Sequence, residues 1–107
     1  MNPFVIVFRQ LSPLDEATQQ RRAAETAPWA QLQNSRGHRL DARMLSSERV
    51  CLGADRTAPD GPPVSALLFL EAADIHEAAR IAESHPAVRY GAAVEVHAWT
   101  PPARSRP

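Results

Sequence analysis

The apolar stretch at residues 64–70, which reads VSALLFL, constrains the fold more than any other part of the chain. A short run that is apolar almost throughout predicts a strand near the centre of a sheet. Residues 4–8 form a second short run, rich in β-branched and aromatic side chains, and predict another buried strand. Residues 94–98 alternate between apolar and polar side chains, which indicates a strand with one buried face.

Two segments between these strands carry helix-start signals. Ser12, which is followed by a proline and then by two acidic residues, is predicted to cap a first helix. That helix is expected to be kinked or restarted at Pro28, because proline lacks an amide and clashes with the previous turn. Gly37 is a natural stop for it. Asp74 and Glu77 have the spacing of a capping box and predict a second helix, which should end before the next proline.

The remaining segments are less regular. Two short strands are expected between residues 38 and 55, and residues 57–63, which read TAPDGPP, predict a loop. Residues 101–107 hold three prolines and no apolar side chain larger than alanine, so they predict a disordered tail after one domain at residues 1–100. The order of predicted strands and helices approximates a split βαβ pattern.

Composition narrows the classes of function. The 107 residues suffice for one small domain, in which twelve arginines balance twelve acidic residues and lysine is absent. The arginines are scattered rather than clustered, so a nucleic-acid-binding surface is not expected. The apolar run near the start is too short for a signal segment or a membrane span, so we expect a cytoplasmic protein without membrane contact.

No cofactor or metal is indicated. The four histidines lack the spacing of metal ligands, and the four glycines are isolated rather than gathered in a phosphate-binding loop. Cys51 is the single cysteine, so no intrachain disulfide can form. Its apolar surroundings in the sequence predict a buried, inert thiol.

The small size of the chain also bears on its assembly. A sheet covered by helices on one face only would leave its other face bare in a domain of this length. That geometry predicts a partner chain.

Several pieces of the sequence resemble YCII-related proteins, also called DGPF-domain proteins. Residues 85–96 contain His-Pro, then Arg-Tyr-Gly, then Val-Glu-Val, in the order of that family's closing signature. Residues 60–62 read DGP, with Pro63 where the name-giving motif has Phe. Residues 4–10, FVIVFRQ, resemble the first strand of one branch, in which a helical Trp occupies the place of Trp29.

The resemblance implies a fold and an assembly rather than a known reaction. The implied fold is an α+β ferredoxin-like antiparallel sheet with two main helices on one face, and two chains pair through their uncovered faces into a dimeric α+β barrel. Relatives of this barrel are isomerases, lyases or small-ligand binders with a His and an acid in a cleft. The first-helix His of one branch has no counterpart here, and the segment after DGP is shorter than in typical members.

His85 and Asp60 are the candidate catalytic residues. His85 is predicted to lie at a helix C-terminus, where the negative end of the dipole favours a protonated imidazole. It is expected either to line the dimer cleft as an acid, base or anion donor, or to cap the last carbonyls of the helix. Asp60 is either a catalytic carboxylate or part of a turn, since Asp-Gly and Gly-Pro commonly make turns.

The candidate substrate-binding residues are Arg9, Trp29, Arg43, Glu95 and His97. Arg9 ends the first strand, and if it shares a face with Glu95 or His97 its guanidinium could hold a carboxylate or phosphate inside the barrel. The alternative is an Arg9–Glu95 ion pair that only stabilises the interface. Trp29 either stacks on a ligand or fills the core. Arg43 points either into the cleft or to solvent.

Two functions follow from these observations. The first is a homodimer that binds a small polar or anionic molecule, with acid–base activity of the isomerase or lyase kind in a cleft. The second is a non-enzymatic accessory module that binds another protein, such as a sigma factor. The second gains support from the missing first-helix His and from the lack of a strong catalytic constellation.

Overall fold

The computed structural model describes residues 1–53 and 62–101. Asp60, most of the predicted loop at 57–63 and nearly all of the predicted tail therefore lie outside the described residues. Within the described residues the strands and helices follow one another in this order: β1 Asn2–Gln10, α1 Glu16–Ser35, β2 Asp41–Met44, β3 Val64–Ala72, α2 Ile75–Ser84, a 3-10 helix Pro86–Tyr90, and β4 Ala92–Ala98.

The described strands form one four-stranded sheet in the order β2-β3-β1-β4. Each neighbouring pair is antiparallel. The centre is occupied by β3, as predicted, and by β1, which was predicted as a buried strand. Both helices lie on the same side of this sheet, so the α+β ferredoxin-like fold is confirmed.

The core lies between the sheet and the helices. Alternate residues of each strand face the same side, and the register places Phe4 opposite Leu70 and Ile6 opposite Leu68 on the helix-facing side. Ile6 is fully buried. From α2 the core receives three side chains: Ala78, Ile81 and Ala82.

Helix α2 begins and ends as its sequence predicts. The Asp74 carboxylate accepts a hydrogen bond from the backbone amide of Glu77 at 2.8 Å. The Glu77 carboxylate in turn accepts one from the backbone amide of Ala73 at 2.9 Å. The helix ends at Ser84, and His85 has an extended backbone, as expected for the residue before a proline.

Helix α1 departs from its predictions at two points. Its cap is Asp15 rather than Ser12, because the Asp15 carboxylate accepts the amide of Thr18 at 2.7 Å at the positive end of the helix dipole. It also runs as one helix through Pro28, so that of the two predicted effects, a kink or a restart, the restart does not occur. Pro28 and Ala24 are exposed, so water can bond to the Ala24 carbonyl that has lost its helical partner.

The segment after α1 forms one described strand rather than the two predicted. Residues 50–52 are not in a strand, and the side chains of Val50 and Leu52 are 79% and 81% exposed. Cys51 is partly exposed rather than buried.

Candidate functional site

A cavity of about 640 Å³ lies between the first half of α1 and the helix-facing side of the sheet. Short side chains from both layers line it: Ala23, Ala27, Ala42, Ala66, Ala87 and Ala92. Because alanines face one another across the gap, the helix and the sheet do not fill the space between them. The volume is within the range of roughly 300–1,000 Å³ that small-molecule pockets occupy.

Arg22 brings a positive charge to this cavity. It lies on α1 and is half-buried, and its guanidinium donates a hydrogen bond to the side-chain oxygen of Gln10 at 3.3 Å. Among the described residues no carboxylate comes within ion-pair distance of it. Within the described part of the chain, this guanidinium is thus partnered by a neutral amide rather than by an acid.

His85 lines the same cavity from the junction of α2 and the 3-10 helix. Its ring packs edge-on against the rings of Phe8 and Trp29, with centroids 4.8 Å and 4.6 Å apart. Its Nδ1 accepts a hydrogen bond from the backbone amide of Ala87 at 3.0 Å. The imidazole is therefore held by packing against two aromatic rings and by a cap bond at one nitrogen.

The protonation state of His85 differs from the sequence prediction. Burial, and to a lesser extent the nearby charge of Arg22, lower the pKa of its imidazole to about 4. The expected protonated form is wrong, because desolvation outweighs the favourable position at a helix end. The Ala87 amide can only donate, so Nδ1 must be the acceptor and the proton of the neutral ring lies on Nε2. At neutral pH His85 thus presents an N–H donor at Nε2.

Arg9, Glu95 and His97 come together on the opposite side of the sheet. We call this side the open face; its central side chains are Val5, Val7, Leu67 and Phe69. The Arg9 guanidinium lies 3.5 Å from the Glu95 carboxylate, which lies 3.1 Å from Nε2 of His97. Arg9 also donates to the carbonyl of Pro62 at 3.0 Å.

Trp99 extends the open face beyond the end of β4. Its indole packs edge-on against the ring of Phe69, with centroids 5.3 Å apart. The Trp99 Nε1 is buried and has no hydrogen-bond acceptor among the described residues. A buried donor without a partner is costly, so this indole marks a point where a further acceptor would be favourable.

The other candidates are divided between the two sides of the sheet. Trp29 lies on the helix side and donates its indole N–H to the Ser84 hydroxyl at 2.8 Å. Arg43 is exposed on the open face and is paired with Asp41. Because the sheet separates His85 from Arg9, His85 does not lie where a cleft between two open faces would form. The catalytic role of His85 stays a prediction.

Sequence reasoning missed one set of polar contacts entirely. The Glu25 carboxylate of α1 accepts hydrogen bonds from the Tyr90 hydroxyl and from the Arg89 guanidinium of the 3-10 helix. The bond from Tyr90, and then that from Arg89, lowers the pKa of Glu25; the same bond to Glu25 raises the pKa of Tyr90. No local sequence pattern predicts these contacts, since the partners are separated by more than sixty residues.

Neither a metal centre nor a membrane helix is found in the part of the chain that the structure describes. No three His, Cys, Asp or Glu side chains there cluster closely enough to hold a metal ion. No helix there is long and apolar enough to cross a membrane.

Comparison with known proteins identifies a shared fold. No family model matches the chain, and no curated protein matches it in sequence. A similar solved structure is the 5-chloro-2-hydroxyhydroquinone dehydrochlorinase of Burkholderia phenoliruptrix in complex with 2,5-dihydroxybenzoquinone. It superimposes with a TM-score of 0.59 over 92% of this chain and 93% of that chain, at 19% identity. The resemblance to YCII-related proteins stays a prediction.

Proposed function

We propose that this protein is a homodimer that binds a small molecule in the cavity between α1 and the sheet. The observation that carries the proposal is the cavity itself, in which largely apolar walls surround several polar side chains, among them the Arg22 guanidinium and the His85 imidazole. Small-molecule sites commonly combine apolar walls with a few placed polar groups. The similar dehydrochlorinase, which was solved with a small ring compound, lends the proposal general support.

The chemistry of His85 favours one role over another. A general base must offer a free lone pair to the proton that it removes. The Nδ1 lone pair of His85 already accepts the Ala87 amide, and Nε2 carries the proton. The imidazole is therefore suited to donate a hydrogen bond to a ligand oxygen rather than to abstract a proton, and any isomerase-like activity would use it as an electrophile.

Filling the cavity tests its role. We expect 8-anilino-1-naphthalenesulfonate (ANS), whose fluorescence rises on binding, to bind the wild type. The double variant Ala23→Leu/Ala27→Leu should lose at least about 10-fold in affinity, because larger side chains would occupy the space that the probe needs. Leucine is nearly as good a helix former as alanine, so α1 should persist.

A matched control exists on the same helix. Ala17 and Ala24 are exposed alanines outside the cavity lining. The double variant Ala17→Leu/Ala24→Leu has the same change in composition and should bind the probe like the wild type. Equal affinity in all three proteins, or equal loss in both variants, would refute binding in this cavity.

The open face supports the homodimer. Its apolar centre is half-exposed, and three bases, Arg9, Arg39 and Arg43, are matched there or at its edge by three acids, Asp41, Glu71 and Glu95. Such a balanced surface can pair with a second copy of itself about a two-fold axis. The strand spacing and length give it an extent of at most roughly 19 Å by 30 Å, so that two such faces would bury about 1,100 Å² in total, at the lower end of specific interfaces.

Mass measurement tests this assembly. Light scattering after size exclusion should give twice the chain mass of 11.7 kDa for the wild type. Val7→Arg should give a monomer, because it buries an unpaired charge at the centre of the open face. Val88→Arg makes the same change on the exposed 3-10 helix and should leave the dimer intact. A wild-type monomer at every concentration would contradict the dimer.

A further inference from the structure

The lining of the cavity points to the class of ligand that it takes. We infer that the ligand has an apolar body of ring size and one oxyanion, such as a carboxylate, sulfonate or phenolate, bound by the Arg22 guanidinium with His85 as a second donor. This inference rests on the proposed function and narrows it to one ligand chemistry. It follows from three observations: the charge of Arg22, the hydrogen-bonding state of His85 and the character of the remaining walls.

The guanidinium of Arg22 is half-buried and has no carboxylate partner among the described residues. A half-buried guanidinium is normally matched by a carboxylate, since a charge removed from water is costly unless it is paired. Arg9, the other half-buried arginine of the described residues, has such a partner in Glu95. Among the described residues, Arg22 has as its side-chain partner the neutral oxygen of Gln10 at 3.3 Å and no carboxylate within ion-pair distance. An anion is therefore the group that completes its environment.

His85 supplies a donor that does not add charge. The Ala87 amide occupies Nδ1, so Nε2 carries the proton in the neutral ring. A neutral donor beside a cation suits a single oxyanion, which can accept from both at once. Two full positive charges would instead favour a doubly charged group such as phosphate.

The other walls define the body of the ligand. Phe8 and Leu68 form part of the floor, while Leu14 and Met44 stand at other parts of the lining. No acidic side chain of the described residues lines the cavity, so nothing there repels an anion. Apolar walls of this extent fit a ring system, and burial of the ring against them would stabilise the complex.

A pair of probes separates charge from shape. ANS and N-phenyl-1-naphthylamine share the same aromatic body, but only the first carries a sulfonate. Hydrogen bonds to charged groups change affinity by about 10- to 100-fold. We expect the wild type to prefer ANS by at least about 10-fold, and Arg22→Gln to bind the two probes within about 3-fold of each other.

Arg21 provides the control, because it is the exposed neighbour of Arg22 on the same helix and does not line the cavity. Arg21→Gln should keep the full preference for ANS. Arg22→Lys, which keeps the charge but loses the planar fork, should keep part of it. The preference of the wild type is measured without any variant, so misfolding of one variant does not leave the question open.

The outcomes distinguish this inference from the proposed function. Binding of both probes without preference, or a preference that survives in Arg22→Gln, would overturn the oxyanion and leave cavity binding standing. ANS binding that is insensitive to Ala23→Leu/Ala27→Leu would overturn the proposed function and this inference with it.

Discussion

The buried imidazole of His85 should make the stability of this protein depend on pH in a calculable way. Its pKa is about 4 in the folded chain, against 6.5 for an ordinary histidine. Between these values the unfolded chain binds more protons than the folded chain, so stability is lost as the pH falls from 6.5 towards 4. The full shift would cost about 2 kcal/mol at pH 5. Because the ring is partly exposed and water screens it, we expect about 1 kcal/mol.

The variant His85→Asn isolates this effect. Asparagine keeps a side-chain oxygen that can accept the Ala87 amide, but it does not titrate. Urea unfolding followed by circular dichroism, at about pH 8 and about pH 5, gives the loss of stability on acidification. The wild type should lose about 1 kcal/mol more than His85→Asn over this interval, whatever the constant cost of removing the ring from Phe8 and Trp29.

Subtracting the two proteins removes the contribution of carboxylates such as Asp15 and Glu25, which is common to both. His76→Asn, on an exposed histidine of α2, should retain the wild-type dependence. Parallel losses in the wild type and in His85→Asn would refute the claim that His85 is buried as the neutral imidazole.

Three further predictions concern the scaffold around the cavity. Replacing Glu25 with Gln should lower the pKa of Tyr90 towards its ordinary value of 10.0, which absorbance titration resolves cleanly because the chain has one tyrosine; an unchanged titration would contradict the Glu25–Tyr90 bond. Asp15→Ala should lower the free energy of unfolding, measured with urea, by about 1 kcal/mol, and Ser12→Ala should lower it by less than about 0.5 kcal/mol. The reverse order would show that Ser12, not Asp15, is the cap. Gly91→Ala should lower the free energy of unfolding by about 1 kcal/mol or more, because Gly91 has a left-handed backbone and an added methyl would lie 3.3 Å from Gln10 and Ser12. An unchanged free energy of unfolding would contradict this backbone conformation of Gly91.

The parts of the fold that could be predicted are those that local sequence encodes. The apolar runs in β1 and β3 and the capping box at Asp74 each lie within a few residues, and each is found where predicted. Alternation in β4 likewise gave the correct faces for Glu95 and His97. Periodicity and capping are properties of neighbours, so one segment suffices to reveal them.

The cavity could not be predicted, because it is the space that two distant segments leave between them. Helix α1 is rich in alanine and polar residues and has no apolar stripe, so its sequence does not say which side meets the sheet. Among twelve arginines, Arg22 became distinctive only when its surroundings were known.

The same limit explains the error on the protonation of His85. Its place at a helix end could be predicted from the proline that follows it, whereas its pKa is set by burial against Phe8 and Trp29 from other parts of the chain. The ion pair of Arg9 and Glu95 could be predicted, because both residues lie on strands in which side chains alternate between the two faces. The alternation of side chains along the strands thus predicts which residues share the open face, whereas no such pattern predicts which residues of α1 face the sheet.

Nuclear Overhauser effects between a bound probe and labelled alanine methyl groups would test the proposed binding site most directly. With ANS bound, contacts from its ring protons to the methyl groups of Ala23, Ala27 and Ala66 are predicted, since all three line the cavity. The methyl group of Ala93 is on the open face and should show none. Contacts to Ala93 without any to the three cavity alanines would place the probe on the open face and contradict ligand binding between α1 and the sheet.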